Sequence, residues 1–187
     1  MFVGSQTRIH QLAINMACGD VIAYPTEAVW GLGCDPFNGD AVAKILRLKK
    51  RAVKKGVILI AGNIQQLAFL LHDLPAEQLA TLRVSWPGPY TWLVPHNDRV
   101  PFFVRGNFDT VAVRVTNHPT VQALCNAFGG PIVSTSANPQ GLPPATTALK
   151  ARSYFGTKIG YCPGVVGKNK TPSQIKHLLT GDIIRPA

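Results

Sequence analysis

A run of small polar residues, Ser134-Thr135-Ser136-Ala137-Asn138, follows the apolar stretch Pro131-Ile132-Val133 and leads into Pro139, Gly141 and Pro143-Pro144. The apolar stretch reads as a buried strand, and the Pro/Gly cluster forces a loop directly after it. Hydroxyls and an amide therefore collect at a strand end, the edge where open α/β sheets bind ligands. The same residues also suit a capped turn, because Ser, Thr and Asn bond to nearby backbone. Far upstream, Lys44, Arg47, Lys49, Lys50, Arg51, Lys54 and Lys55 share one segment with no acid among them. One or two cations at a helix C-terminus are favourable in themselves. Seven packed together repel unless an anion comes between them. Lys49, Arg51 and Lys55, with Ser134, Ser136, Asn138 and Arg114, make a donor set suited to phosphoryl or nucleotidyl transfer. That chemistry needs positioned charge and hydrogen bonds more than a protein nucleophile.

Other chemistries lack their motifs. Gly164-Val165-Val166-Gly167-Lys168 has two residues between its glycines where a P-loop has four, and Asn169 follows where a magnesium-holding hydroxyl belongs. There is no nucleophile elbow, no dinucleotide-binding glycine pattern and no metal-ligand spacing. With nine acids in the chain, any Mg2+ is expected to be held by a nucleotide's own phosphates. No general base is evident. The five histidines are scattered and read as structural or exposed. The cysteines at 18, 34, 125 and 162 form no dithiol motif. Cys18 and Cys125 fall in apolar helical patterns and read as core thiols, Cys34 as an exposed loop thiol.

These residues sit in a chain of 187, with 46% hydrophobic and 15% charged residues, enough for one globular domain with a real core. The net charge of +10 favours an anionic partner, whether nucleic acid, nucleotide or acidic membrane. No apolar run is long enough to span a bilayer and no signal-peptide pattern opens the chain, so a reduced cytoplasm is the expected compartment.

The elements that must position the donors alternate. Ser5 is placed to cap a helix with Ile9, Leu12, Ala13 and Met16 on one face and Gly19 as its stop. Val21–Tyr24 reads as a strand. Pro25–Gly33 reads as a loop whose glycines serve either a plain turn or a backbone approach to ligand. A helix covers about Asp40–Leu48, a strand Val57–Ile60, and an Asn63/Gln66 capping pair opens a helix to Leu71. A further helix spans Pro75–Val84 and a strand Tyr90–Val94, followed by an irregular excursion to Asn107. Thr110–Val115 alternates as a strand, with Arg114 on the face of Thr110 and Ala112. An Arg among small residues either reaches a rim or meets a carboxylate. His118-Pro119 opens a helix to Phe128, a helix spans Thr147–Phe155, Ile159–Tyr161 is a strand, and a loose tail carries a last strand near Ile183-Ile184-Arg185. The class is α/β with a mostly buried sheet.

Five segments in order resemble the YrdC/TsaC family of threonylcarbamoyl-AMP synthases, in its short bacterial form. They are Tyr24–Gly33, Lys49-Lys50-Arg51 with Lys55, Trp86-Pro87-Gly88-Pro89, Ala112–Val115, and Ser134–Asn138. The resemblance runs from about Val21 to Arg185. It implies a single domain over 1–187 with a twisted mixed sheet flanked by helices, a basic concave cavity, and residues 164–187 as a tail covering the site. It implies that threonine, bicarbonate and ATP give threonylcarbamoyl-adenylate and pyrophosphate. TsaD, TsaB and TsaE would then pass the group to the adenosine beside the anticodon of tRNA.

By position, the resemblance assigns Arg51 and Lys55 to the ATP phosphates with Lys49 beside them, and Thr110, Ser136, Pro144 and Arg185 to the nucleotide. Arg114, Ser134, Thr26 and Ser173 fall to threonine, while Lys49, Arg51, Ser136 and Asn138 form the catalytic set. Ala28 stands where many relatives carry a Thr, Ala52 and Gly56 where prolines are common, and Gln174 where longer forms have Thr. The two lost prolines imply a more flexible basic loop. A competing class is a tRNA or double-stranded-RNA binder acting through the same charge, although the basic loop has no interleaved aromatics for stacking. A carbamoyl-transfer module of the HypF kind is a third reading, but the zinc-finger motifs that accompany it are absent.

Overall fold

A computed structural model describes residues 3–169 and 171–186 of the chain. In chain order the elements are α1 (Val3–Ala17), β1 (Ile22–Pro25), β2 (Trp30–Gly33), α2 (Gly39–Lys49), β3 (Ile58–Ala61), the short α3 (Ala68–Leu71) and α4 (Ala76–Ser85). Then come β4 (Tyr90–Pro95), the short α5 (Phe102–Arg105), β5 (Thr110–Val115), α6 (Pro119–Phe128), β6 (Ile132–Ser136), α7 (Ala148–Phe155), β7 (Gly160–Tyr161), β8 (Gln174–His177) and β9 (Ile183–Arg185). The strands form one mixed sheet in the order β7-β1-β2-β6-β3-β5-β4-β8-β9.

Both faces of the sheet are partly covered. α1 and α6 lay Ile9, Leu12, Met16, Val121 and Leu124 over Ile22, Tyr24, Ile60 and Ile132, an apolar layer that closes one end of one face. The opposite face carries Leu59, Val113 and Val133, packed with Val42, Ile45 and Leu70. Alternation along β3, β5 and β6 thus assigns each residue its side. The first face, beyond the α1/α6 layer, is left open, and the site lies there.

Several local readings change. Ser5 lies inside α1, which begins at Val3. Ser134, Thr135 and Ser136 are the last residues of β6, so the hydroxyls belong to the strand and not to a loop after it. Residues 30–33 form β2, antiparallel to β1. Its glycines make room for the Tyr24 ring: a Cβ on Gly33 would stand 2.7 Å from Tyr24 Cε1 and 2.5 Å from the Val133 carbonyl oxygen. The close approach is real, but its partner is a buried tyrosine whose hydroxyl donates to that same carbonyl at 2.9 Å. Missing β2 also misplaced Cys34, which is buried, whereas Cys18 lies just past the end of α1 and is exposed.

The tail holds more structure than its composition suggests. β8 runs parallel to β4, with Tyr90 level with Gln174 and Leu93 with His177. β9 folds back antiparallel on β8. Together they extend the sheet past β4.

Candidate active site

The open face encloses a cavity of about 500 Å³. Its floor is Thr110, Ala112 and Arg114 of β5, Ile58 of β3, and Ser134 and Ser136 of β6. Register explains the grouping, since Ile58 stands level with Ala112 on one side and Ser134 on the other. The β1–β2 turn supplies Thr26 to Val29, and Arg51, Lys55 and Gly56 come from the basic loop. Pro144 closes one side, and the tail brings Ser173, Ile175, Ile184 and Arg185 over another.

The basic segment does not act as one surface. Lys44 turns away, with its Nζ 3.8 Å from Asp20. Arg47, Lys50 and Lys54 are exposed. Arg51 points its Nε and Nη2 at the Gly56 carbonyl oxygen, 3.1 and 2.9 Å away, and Nη2 also donates to Lys55 O at 3.2 Å. Among the described residues its Nη1 has no hydrogen-bond partner, and burial pushes the guanidinium below its ordinary pKa. Gly56 has φ +58°, which a proline cannot adopt, and a Cβ there would lie 2.8 Å from Arg105 O. The loop is therefore pinned by Arg51 and by its seat on α5, contrary to the flexibility expected from its missing prolines.

Lys49 is held at the end of β6, beside Ser136. It is 5% exposed and is not among the described residues lining the cavity. Its ammonium donates to the backbone oxygen of Ser136, to Asn138 O at 2.9 Å and Asn138 Oδ1 at 3.2 Å, with Ser136 Oγ 3.4 Å away. Asn138 is half-buried, and its amide donates to Leu142 O. The two residues thus fix the end of β6 and present Ser136 to the cavity. Burial, then the Arg51 charge, push the Lys49 ammonium down to about 8. A lysine with a lower pKa folded than unfolded carries its full charge-burial cost below that value. The cost is relieved as the pH rises toward the unfolded value of about 10.4. Relative to Lys49→Met, the wild type is therefore expected to gain about 1 kcal/mol of stability per pH unit through that window, read by urea unfolding of both proteins. A difference independent of pH would show that the four oxygens keep the proton in place.

At the other end stands an ion pair whose acidic partner the sequence did not single out. Arg114 Nη2 donates to Glu27 Oε2 at 2.7 Å. Glu27 Oε1 accepts from Thr116 Oγ1 at 2.6 Å and from the Asn117 N–H at 3.1 Å. Burial alone would raise the Glu27 carboxyl, but Arg114, Thr116 and Asn117 offset it and hold the group below the usual range. The available signal was the lone acid in Pro25-Thr26-Glu27 together with an Arg that needed a carboxylate. Thr26 bonds its own turn, donating from Oγ1 to Val29 O at 2.7 Å. Ser173 shares a 2.7 Å hydroxyl contact with Thr91. Arg185 donates to Ser173 O at 2.7 Å, and burial together with the nearby Arg114 lowers its pKa. Arg105 and Phe108, also unmarked in the sequence, line the cavity as well.

A family model described as telomere recombination, Sua5/YciO/YrdC, matches residues 15–187. A Saccharophagus degradans protein named threonylcarbamoyl-AMP synthase is 58% identical over 95% of this chain and 94% of its own. The chain belongs to the Sua5/YciO/YrdC family. A Cellvibrio japonicus protein of the same name is 52% identical over 96% of each chain. Among solved structures, P. abyssi Sua5 in complex with L-threonine is 31% identical with a TM-score of 0.86, over 92% of this chain and 51% of that one. This Sua5/YciO/YrdC chain thus spans about half the length of that protein. E. coli YciO, 23% identical with a TM-score of 0.84 over 96% of this chain and 89% of its own, shares the fold.

Proposed function

We propose that this chain forms threonylcarbamoyl-adenylate and pyrophosphate from L-threonine, bicarbonate and ATP. The observation that carries the reading is one cavity lined both by Arg51 and Lys55 of the basic loop and by the Arg114–Glu27 ion pair. It occurs in a chain more than half identical, over nearly its whole length, to proteins named as synthases of that product. That P. abyssi Sua5 holds L-threonine supports the same assignment.

The threonine amine and bicarbonate combine to a carbamate with loss of water. A carbamate oxygen then attacks the α-phosphorus of ATP, and the bond to the pyrophosphate oxygen breaks. Arg51 and Lys55 hold the phosphates, and Arg114 receives the threonine carboxylate through the arm of its fork that Glu27 leaves free. Ser134 and Ser136 lie between them, where hydroxyl donors meet the reacting groups. Thr110, Pro144 and Arg185 bound the nucleotide, and Thr26 and Ser173 shape the threonine end. Lys49 and Asn138 serve by positioning Ser136. The protein's contributions are proximity and charge stabilisation. Glu27 is the only acid among the described lining residues and both its oxygens are engaged. A Mg2+ arriving with ATP is therefore coordinated by the nucleotide phosphates.

The adenylate is a reactive mixed anhydride and passes to the downstream proteins TsaD, TsaB and TsaE for transfer to tRNA. Arg47, Lys50 and Lys54, exposed outside the cavity, offer phosphate contacts for that RNA. Among the described residues no helix is long and apolar enough to cross a membrane, and a cytoplasmic enzyme fits this route.

The test is pyrophosphate release from ATP. Release is expected to require both threonine and bicarbonate. Serine should be a poorer but real substrate, since one missing methyl changes binding by only ~1–3 kcal/mol. Equal release without threonine would remove this reading.

A further inference from the structure

Among the described residues, five cationic side chains line the cavity, Arg51, Lys55, Arg105, Arg114 and Arg185, and one carboxylate, Glu27, does. That carboxylate pairs with Arg114 alone, and none of the other four forms an ion pair among the described residues. The pair and the main phosphate anchor are held by different elements. Arg51 is tied to Gly56, two residues before the level where Ile58 meets Ala112. Arg114 lies two residues beyond that level. Arg51 is thus anchored in the loop before β3, and Arg114 lies within β5, level with Ile60.

We propose that Glu27 divides this cavity between its two substrates, neutralising Arg114 so that this arginine takes the carboxylate of a zwitterionic amino acid and does not join Arg185 in holding phosphate. The inference rests on the threonine-and-ATP reading above. A guanidinium fork binds phosphate as readily as carboxylate. Arg114 lies near Arg185, and two such groups make a polyphosphate clamp unless one is neutralised. Glu27 neutralises it at contact distance. The Glu27 carboxylate cannot swing away cheaply, because Thr116 and Asn117 hold its second oxygen and the tail seats itself on its backbone, with Asn169 N–H donating to Glu27 O at 3.1 Å. A triphosphate that strayed to Arg114 would displace threonine, so a cavity serving both substrates needs the carboxylate as well as the arginine. Glu27 acts through Arg114 and through charge, as a positioning and selectivity residue.

The experiment titrates wild type, Glu27→Gln and Glu27→Asp calorimetrically with inorganic tripolyphosphate, alongside adenylate formation at varied ATP and threonine. Glu27→Gln retains an oxygen for Thr116 and Asn117 and removes the charge. It is expected to bind tripolyphosphate at least tenfold more tightly or at a second site. High ATP should then inhibit it competitively against threonine, an inhibition not expected of wild type. Adding Arg114→Gln should abolish the gained binding. Glu27→Asp keeps the charge but loses the 2.7 Å contact, so it should show a smaller gain, and it carries the test if the glutamine variant melts early. Unchanged tripolyphosphate binding in both variants, with no ATP inhibition, would overturn the proposal and leave Glu27 a prop for Arg114. A wild type that releases no threonine-dependent pyrophosphate would instead defeat the substrate reading, while the tripolyphosphate titration would still report the effect of the Glu27 charge.

Discussion

Arg51→Ala is expected to form adenylate about a hundredfold more slowly than wild type, while Lys44→Ala stays within about twofold of it. Both residues come from one basic segment, and only their placement separates them. Arg51 faces the cavity with Nη1 unpartnered among the described residues and its remaining nitrogens spent on Lys55 and Gly56. Removing it takes away a charge-assisted contact to a phosphate at a half-buried position, and releases the loop that aims Lys55. Lys44 sits beside Asp20 with 37% of its side chain exposed, where a charge seen through solvent is worth little. Thermal melts of both variants establish that they are folded. Equal and small losses would make the segment a solvated basic face whose charges are interchangeable, as an RNA surface requires.

Arg114→Lys should raise the threonine concentration needed for half-maximal rate by roughly tenfold to a hundredfold, the value of one or two charge-assisted hydrogen bonds. The ATP requirement should move by less than about threefold. The Arg114 side chain is 10% exposed, and its guanidinium already gives one nitrogen to Glu27. It can serve a substrate carboxylate at the same time because its donors point in a fixed fork. An ammonium has no such fork, and Glu27 at contact distance would hold most of its charge. Steady-state kinetics with each substrate varied in turn decide the matter. A parallel rise in both requirements would place Arg114 on the nucleotide.

The contrast between these two arginines also marks how far the residues could be read in advance. Thr110–Val115 was legible as β5 because strict alternation fixes a half-buried strand. The same alternation put Arg114 on a face of small residues, where it needed a carboxylate. Which carboxylate was not legible, because Glu27 lies 87 residues away and local pattern carries no information on such a pairing. β2 was missed because its glycines are turn signals locally, and only the Tyr24 ring across the hairpin explains them. Lys49 was grouped with its charged neighbours, since sequence shows the charge of a side chain and not the layer it enters. β8 was missed for a related reason. Gln174-Ile175-Lys176-His177 has little β-preference of its own and becomes a strand because the edge of β4 is there to pair with it.

The pairing of β8 with β4 also has a consequence for synthesis. β4 is complete near residue 95, and its parallel partner begins at Gln174. At translation speeds of about 5–20 residues per second, the nascent chain carries the outer edge of β4 unpaired for roughly 4–16 s. An open strand edge of this kind, Tyr90-Thr91-Trp92-Leu93-Val94, is a template for pairing with another chain. Ribosomes that stall near Asn169 would release polypeptides with most of the sheet built, that edge bare and one wall of the cavity missing. The same two strands that bring Ser173 and Arg185 to the site therefore also end the interval in which the growing chain is most prone to aggregate.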